Sequence, residues 1–122
     1  MAGREEVKYG NPTDAQLNAA FALHVFGAKE IDGDMMRMDD AEMNGEKFEA
    51  WLKIPDFTKS AGAVLPWLEK MPTVHIHWDG KFYKVHVSDR IYPYGLDERF
   101  PKAAVIALLR AHRVEVEWIA AK

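Results

Sequence analysis

The sequence predicts an α+β domain with a small, mainly antiparallel sheet, and three observations support this fold class. A β-hairpin is predicted at about 73–87, where two alternating segments flank Asp79-Gly80. The segment 114–119 alternates with a period of two and predicts a C-terminal strand. Three segments have apolar residues at helical spacing and predict the helices that pack on this sheet, at about 13–26, 58–71 and 101–112.

Length and composition indicate one domain. The chain has 122 residues, of which 48% are hydrophobic, enough for a substantial core. Residues 1–12 are polar and predict a flexible N-terminal arm, so the single domain is expected to occupy 13–122. The absence of cysteine excludes disulfides, thiolate-bound zinc and a thiol nucleophile.

Charge and hydropathy limit the classes of partner. The formal net charge is −3, and lysine and arginine do not form the clusters that neutralise a phosphate backbone, so direct nucleic-acid binding is not expected. No apolar run approaches the ~18 residues of a membrane span, and no secretion signal begins the sequence. We therefore expect a cytoplasmic protein that does not bind a membrane.

The first helix has a clear start and stop. Thr13 and Gln16 match a capping box, in which each side chain accepts a hydrogen bond from the other residue's backbone amide. Leu17 and Phe21 continue on one helical face, and Gly27 supplies the left-handed stop. These signals predict a helix over 13–26.

The segment 28–46 is predicted to be irregular, acidic and methionine-containing. Its aspartates resemble a calcium loop, but the third acidic ligand, the glycine at the sixth position and the glutamate at the twelfth that an EF-hand requires are missing. Its methionines are typical of flexible packing or an adaptable contact surface. A short strand at 47–54 is predicted to follow.

The second helix is predicted to start at a cap formed by Thr58 or Ser60, and Pro66 is expected to bend or shorten it. Pro101 is well placed in the first turn of the third helix. That helix is predicted to bury Val105, Leu108 and Leu109 and to keep Lys102, Arg110 and Arg113 near water.

A type I′ turn centred on Asp79-Gly80 would set the register of the hairpin. It predicts the cross-strand pairs Trp78–Lys81, Ile76–Tyr83, Val74–Val85, His77–Phe82 and His75–Lys84. The helices are expected to pack on the apolar face, formed by Val74, Ile76, Trp78, Tyr83, Val85 and Val87. The other face carries histidines.

These histidines are candidate metal or ligand residues. His75 and His77 point the same way, and His86 would lie diagonally opposite His75. If the C-terminal strand paired alongside, Glu115 and Glu117 would complete a cluster for zinc or a similar ion. Lys84 argues against a bound dication, and the simpler interpretation is a solvated polar face.

The segment 88–100 is predicted to be a polar, aromatic loop suited to recognising an anion or a protein surface. Arginine offers planar donors and tyrosine offers a large contact area, although such loops also form ion pairs of their own. The candidate partner-binding residues here and in the acidic segment are Asp89, Arg90, Tyr92, Tyr94, Asp97, Arg99, Met35, Met36 and Met38.

Three motifs resemble the phage ABA-sandwich proteins, including NinX-type proteins. They are the capped opening helix at 13–20, the Pro55-Asp56-Phe57-Thr58 entry into a proline-containing helix, and Phe100-Pro101 with the apolar helix through 109. The resemblance implies a small accessory protein of a phage or prophage, located in the host cytoplasm, with no established chemistry to transfer. The strand at 114–119 and the polar face of the hairpin depart from that pattern.

The sequence thus favours a non-enzymatic protein that binds a host or phage protein. It contains no glycine-rich phosphate loop or nucleophile elbow, and no cofactor is expected. Its acidic segment would suit a basic partner, as in an inhibitor of host defence. The alternatives are a small-ligand or metal-binding protein centred on the histidines, and a self-assembling module that pairs the strand edge at 114–119 or the histidine face with a second copy.

Overall fold

A computed structural model describes residues 8–10, 12–43, 45–87 and 94–118. It confirms the predicted α+β class, the three helices, the hairpin and the C-terminal strand. The described elements, in chain order, are β1 (Lys8–Gly10), α1 (Asp14–Phe21), β2 (Glu30–Asp32), β3 (Met35–Met43), β4 (Glu46–Lys53), α2 (Ala61–Leu68), β5 (His75–Trp78), β6 (Tyr83–His86), β7 (Tyr94–Asp97), α3 (Phe100–Ala111) and β8 (Glu115–Glu117). The strands form three sheets, ordered β1-β8, β2-β3-β4 and β5-β6-β7.

The first helix begins and ends as its sequence predicts. The Thr13 hydroxyl accepts a hydrogen bond from the Gln16 amide at 3.1 Å, and the Gln16 side chain accepts one from the Thr13 amide at 2.8 Å. After α1 the chain continues as a π-helical turn, Ala22–Phe26, and Gly27 ends it with φ 104°. The capping box and the glycine stop are both confirmed.

The acidic segment differs from its prediction, because most of it is β-structure. β2, β3 and β4 form an antiparallel sheet, with the register shifted between Met38 and Ala41. The β2-β3 turn has Gly33 at its first central position with φ 62°. The polar composition of 28–46 predicts an irregular loop. A glycine at the first central position of a two-residue turn favours a β-hairpin instead, and the structure follows the turn.

The second helix is shorter than its predicted range of 58–71. Its cap is Ser60, whose hydroxyl accepts a hydrogen bond from the Ala63 amide at 3.2 Å. Pro66 lies inside the helix, and Val64 and Leu68 are buried. Phe57, just before the helix, packs against Phe21 of α1 with ring centroids 4.4 Å apart, which joins the two elements.

The predicted register of the hairpin is wrong by two residues. The two central turn residues are Gly80 and Lys81, and Asp79 precedes them: its carboxylate accepts hydrogen bonds from the amides of Lys81 and Phe82 at 2.9 and 2.8 Å. Gly80 has φ 97°, and Lys81 does not have a positive φ, a pattern that matches a type II′ turn. The observed pairs are His75–His86, Ile76–Val85, His77–Lys84 and Trp78–Tyr83. A shift of two keeps every side chain on its predicted face.

A third strand, β7, lies within the segment predicted to be a polar loop. It pairs with β6 so that Val85 lies opposite Gly95. Helix α3 packs on this side of the sheet: a Cβ on Gly95 would overlap the Ala103 carbonyl and lie 2.7 Å from the Ala107 nitrogen. Helix α3 therefore covers the part of the predicted apolar face that β6 and β7 form. It does not cover the part on β5, where Ile76 and Trp78 are 50% and 49% exposed.

Helix α3 forms the centre of the core. Every residue from Lys102 to Leu109 is buried, as expected for a helix that other elements surround. The prediction that Lys102 stays near water is therefore wrong. Arg110 is half-buried, and its guanidinium donates to the carbonyl oxygens of Tyr94 and Val116, each at 2.6 Å. Arg113 is exposed, as predicted.

The C-terminal strand pairs with a strand from the segment predicted to be a loose arm. Lys8 lies opposite Glu115 and Gly10 opposite Glu117, in parallel. Val116 of β8 is buried against the core. The sequence patterns predicted β8 but not its partner β1. Three residues are too few to show the apolar–polar alternation that identifies a strand.

Candidate functional site

The candidate site is the face of the β5-β6-β7 sheet that points away from α3, here called the open face. Strand alternation and the observed register place seven side chains on it. These are His75, His77, Phe82, Lys84, His86, Tyr94 and Leu96. Asp79, paired with Phe82 beside the turn, lies on the same side, and its carboxylate accepts hydrogen bonds from the turn amides of Lys81 and Phe82. The described strand residues on the open face are polar, aromatic and weakly cationic.

Tyr94 lies at the centre of the contacts on this face. The Lys84 ammonium lies 4.7 Å from the centroid of its ring, within the range of a cation–π interaction. The His86 ring lies 5.6 Å away, tilted by 33°. The carbonyl oxygen of Tyr94 accepts the hydrogen bond from Arg110. Tyr94 is thus held by both its ring and its backbone, which restricts its side-chain rotamers.

The histidines form two different cross-strand pairs. His75 lies opposite His86, and His77 lies opposite Lys84. His75 and His77 are exposed on β5, whereas His86 is half-buried beside Tyr94. Each imidazole can donate or accept a hydrogen bond and can stack on a flat group. The arrangement is therefore suited to polar and aromatic contacts.

The predicted cluster of histidines and glutamates does not form. Its condition was that the C-terminal strand pairs beside the hairpin, but β8 pairs with β1 in a different sheet, which carries Glu115 and Glu117 away from the histidines. In the described ranges, no three histidine, aspartate or glutamate side chains are grouped so as to hold a metal ion.

The predicted partner-binding residues separate into three groups. Asp89, Arg90 and Tyr92 lie outside the described residues. Tyr94 lies on the open face. Four of the remaining residues belong to the packing of the domain: Asp97 is 6% exposed and accepts a hydrogen bond from the Arg99 amide, Arg99 pairs with Asp14, Met36 is 2% exposed, and Met38 packs against the core. Met35 is half-buried on β3.

A recess of ≈ 480 Å³ lies between α1 and the end of β4, lined by Asn18, Lys53, Ile54, Pro55 and Asp56. The side chain of Asn18 in this recess is already engaged at both its nitrogen and its oxygen. The Asn18 amide nitrogen donates to Asp56, and the Asn18 oxygen accepts from the Thr58 amide, both at 3.0 Å. These side chains therefore hold the loop before α2 against α1.

Sequence analysis did not identify Lys84 and Phe82 as parts of a binding face. The signal was present, because Lys84 alternates with Phe82 and His86 on one strand. The sequence pattern places Lys84 opposite His75, where its charge argues against a bound metal ion. The position of Tyr94 beside it depends on β7, which the sequence patterns did not indicate.

No family model, curated protein or solved structure matches this chain. Within the described residues, no helix is both long and apolar enough to cross a bilayer.

Proposed function

We propose that this chain is a non-enzymatic accessory protein of a phage or prophage, which binds a host or phage protein through the open face. The partner surface would be acidic and would present a flat polar or aromatic group to Tyr94. Lys84 and the three histidines supply the complementary donors.

The observation that carries this proposal is the unequal covering of the two sheet faces. Helix α3 buries Val85 and Gly95 on one face, whereas on the other face His75 and His77 are exposed and Tyr94 is half-buried. A tyrosine surrounded by cationic and imidazole side chains has the composition of a binding surface, since aromatic residues are enriched at interfaces.

The non-enzymatic and phage parts of the proposal rest on other support. The sequence contains no phosphate-binding glycine loop or nucleophile elbow. In the structure, the carboxylate of Asp14 is engaged by Arg99 and Lys102, which ties these charges to the packing of the helices. Phage origin is supported by the resemblance of the three helix motifs to ABA-sandwich proteins.

The test is a tagged pull-down from a lysate of the organism that encodes the chain, read out by mass spectrometry. Lys84→Glu reverses a charge on the open face, and Lys53→Glu is the matched control at an exposed position near the end of β4. We expect a protein that is recovered in near-stoichiometric amounts with the wild type and Lys53→Glu, and that is at least about tenfold depleted with Lys84→Glu. Circular dichroism confirms that both variants fold. Equal recovery with all three chains, or with none, would refute binding through this face.

A further inference from the structure

Strand β5 is an edge strand with apolar side chains exposed to water. In the described sheet it pairs with β6 alone, and all four of its residues are exposed. Ile76 and Trp78 point to the same side of the sheet as α3, but α3 covers β6 and β7 and leaves these two about half exposed. An exposed edge of this kind is a template for pairing with another strand.

The hydrogen bonds of the hairpin determine which backbone groups of β5 face outward. The Asp79 amide donates to the Phe82 carbonyl at 3.2 Å, so Asp79 and Phe82 form a hydrogen-bonded pair. Such pairs alternate along an antiparallel ladder. His77 and His75 therefore bond toward β6, and the amides and carbonyls of Ile76 and Trp78 point away from β6, to the free edge.

We propose that β5 pairs in antiparallel fashion with β5 of a second copy of this chain, about a two-fold axis that passes between the two His77 residues. Ile76 of each copy then lies opposite Trp78 of the second copy. These are the two residues whose backbone groups point outward, so each such pair forms two hydrogen bonds. This inference is independent of the proposed function.

Two registers pair three residues of β5 with three of the second copy and keep the same side chains on the same face, and the resulting side-chain pairs distinguish them. An axis at His77 places His75 opposite Asp79 of the second copy, so an imidazole meets a carboxylate twice. An axis at Ile76 instead places His75 opposite His77 of the second copy and Trp78 opposite Val74; Val74 and Asp79 both lie one residue outside β5. An imidazole N–H can donate a hydrogen bond to a carboxylate, and this axis pairs the exposed Ile76 with the exposed Trp78, so the axis at His77 is favoured.

The dimer has one continuous sheet of six strands. Both α3 helices lie on one side of it, and the exposed Ile76 and Trp78 side chains of the two copies cover each other there. The two open faces join on the other side. Strand β5, an edge strand in the monomer, becomes an interior strand of the joint sheet.

A cysteine placed at the axis tests both the interface and its register. Wild type has no cysteine, so a single substitution gives an unambiguous disulfide. The two His77 residues would form a non-hydrogen-bonded pair with Cα atoms about 4.5 Å apart, within the range that a disulfide spans. We expect His77→Cys to form a covalent dimer under mild oxidation, well above the yield of Ile76→Cys and of the exposed control Lys53→Cys.

The outcomes separate the alternatives. A higher yield for Ile76→Cys than for His77→Cys would overturn the proposed register, and a yield for His77→Cys no greater than for Lys53→Cys would overturn the interface. Sedimentation velocity of the unmodified chain provides a second measurement. The wild type is expected to shift from monomer to dimer with rising concentration, and Ile76→Glu, which buries a charge at the interface, to remain monomeric. A wild type that is monomeric at every concentration would contradict the proposal.

Discussion

The Lys102 ammonium lies 2.9 Å from the Asp14 carboxylate and joins the N-terminal turn of α3 to that of α1. Arg99 holds the same carboxylate with two contacts of 3.0 and 2.9 Å. On its other side, the Lys102 ammonium lies 3.9 Å from the ring centroid of Trp118. Lys102 is only 7% exposed, and a buried ammonium requires such partners because water no longer solvates it.

We expect Asp14→Asn to destabilise the fold by about 1–3 kcal/mol at neutral pH, because it leaves a buried lysine without its carboxylate. The loss would appear as a lower midpoint in urea unfolding. An exposed control, Asp34→Asn, should leave the midpoint unchanged. If Asp14→Asn were as stable as the wild type, the contact with Trp118 alone would be enough to stabilise the buried Lys102 ammonium.

The same pair predicts a pH dependence. Burial alone would raise the pKa of Asp14, but hydrogen bonds from Lys102 and Arg99 and their positive charges outweigh it and hold the pKa below 3.8. A carboxyl with a lowered folded-state pKa contributes stability above its unfolded pKa and loses it as pH falls through the folded pKa. Between about pH 5 and pH 2 the wild type should therefore lose more stability than Asp14→Asn. Parallel stability profiles for the two proteins would contradict this.

Gly95→Ala should destabilise the fold by about 1–3 kcal/mol, because the added methyl group overlaps the backbone of α3 at Ala103. Neither backbone can move without separating the sheet from the central helix. Gly62→Ala in α2 is the matched control, since its new Cβ meets only the Ser60 hydroxyl at 3.9 Å. It should be neutral or stabilising by up to about 1 kcal/mol. Equal Tm changes for the two variants would refute the close approach.

Arg113→Gly should stabilise the fold by about 0.5–1 kcal/mol. Arg113 follows the C-terminus of α3 with φ 67°, in a Schellman arrangement whose Val114 amide donates to the Leu109 carbonyl at 2.9 Å. Glycine adopts this left-handed conformation without a steric penalty. Arg113→Ala removes the same side chain but does not ease the left-handed conformation. A gain in Tm for both variants would show that loss of the arginine side chain, and not the backbone conformation, causes the stabilisation.

Asn18→Ala should destabilise the fold by about 1–3 kcal/mol, because the amide of the fully buried Thr58 loses its acceptor. Thr58→Val is the comparison: it removes the hydroxyl bond to Asp56, at 3.2 Å, but keeps the amide satisfied. It should therefore cost less. The reverse order in thermal unfolding would assign the stabilisation to Asp56 instead of Asn18.

Short-range signals in the sequence predicted their own surroundings well. Thr13 and Gln16 cap α1 as predicted, because both partners lie within one turn. The turn at Asp79-Gly80 was located correctly, but its register depended on whether Asp79 is a central residue or the residue before the centre. The Asp79 side chain decides this, since it accepts the two amides that follow Gly80.

Features that need distant partners could not be predicted. The burial of Lys102 depends on Asp14, and no periodicity in α3 contains that information. Strand β7 became a strand because β6 pairs with it and α3 covers it at Gly95. The open face exists because β7 pairs with β6 and because α3 covers the opposite side of these two strands. The sequence therefore predicted its histidines but not the position of Tyr94 beside Lys84.

The parallel pairing of β1 with β8 closes the longest loop in the fold, since Lys8 meets Glu115. Closing a loop costs conformational entropy that grows with its length; among the described residues, three backbone pairs, the burial of Val116 and the bond from Arg110 to its carbonyl oppose that cost. We expect this pairing to form later than the packing of α3 and to open before that helix does in the native state. The amides of β8 should then exchange with deuterium sooner than those of α3, so the strand at 115–117 would report local opening while the core stays closed.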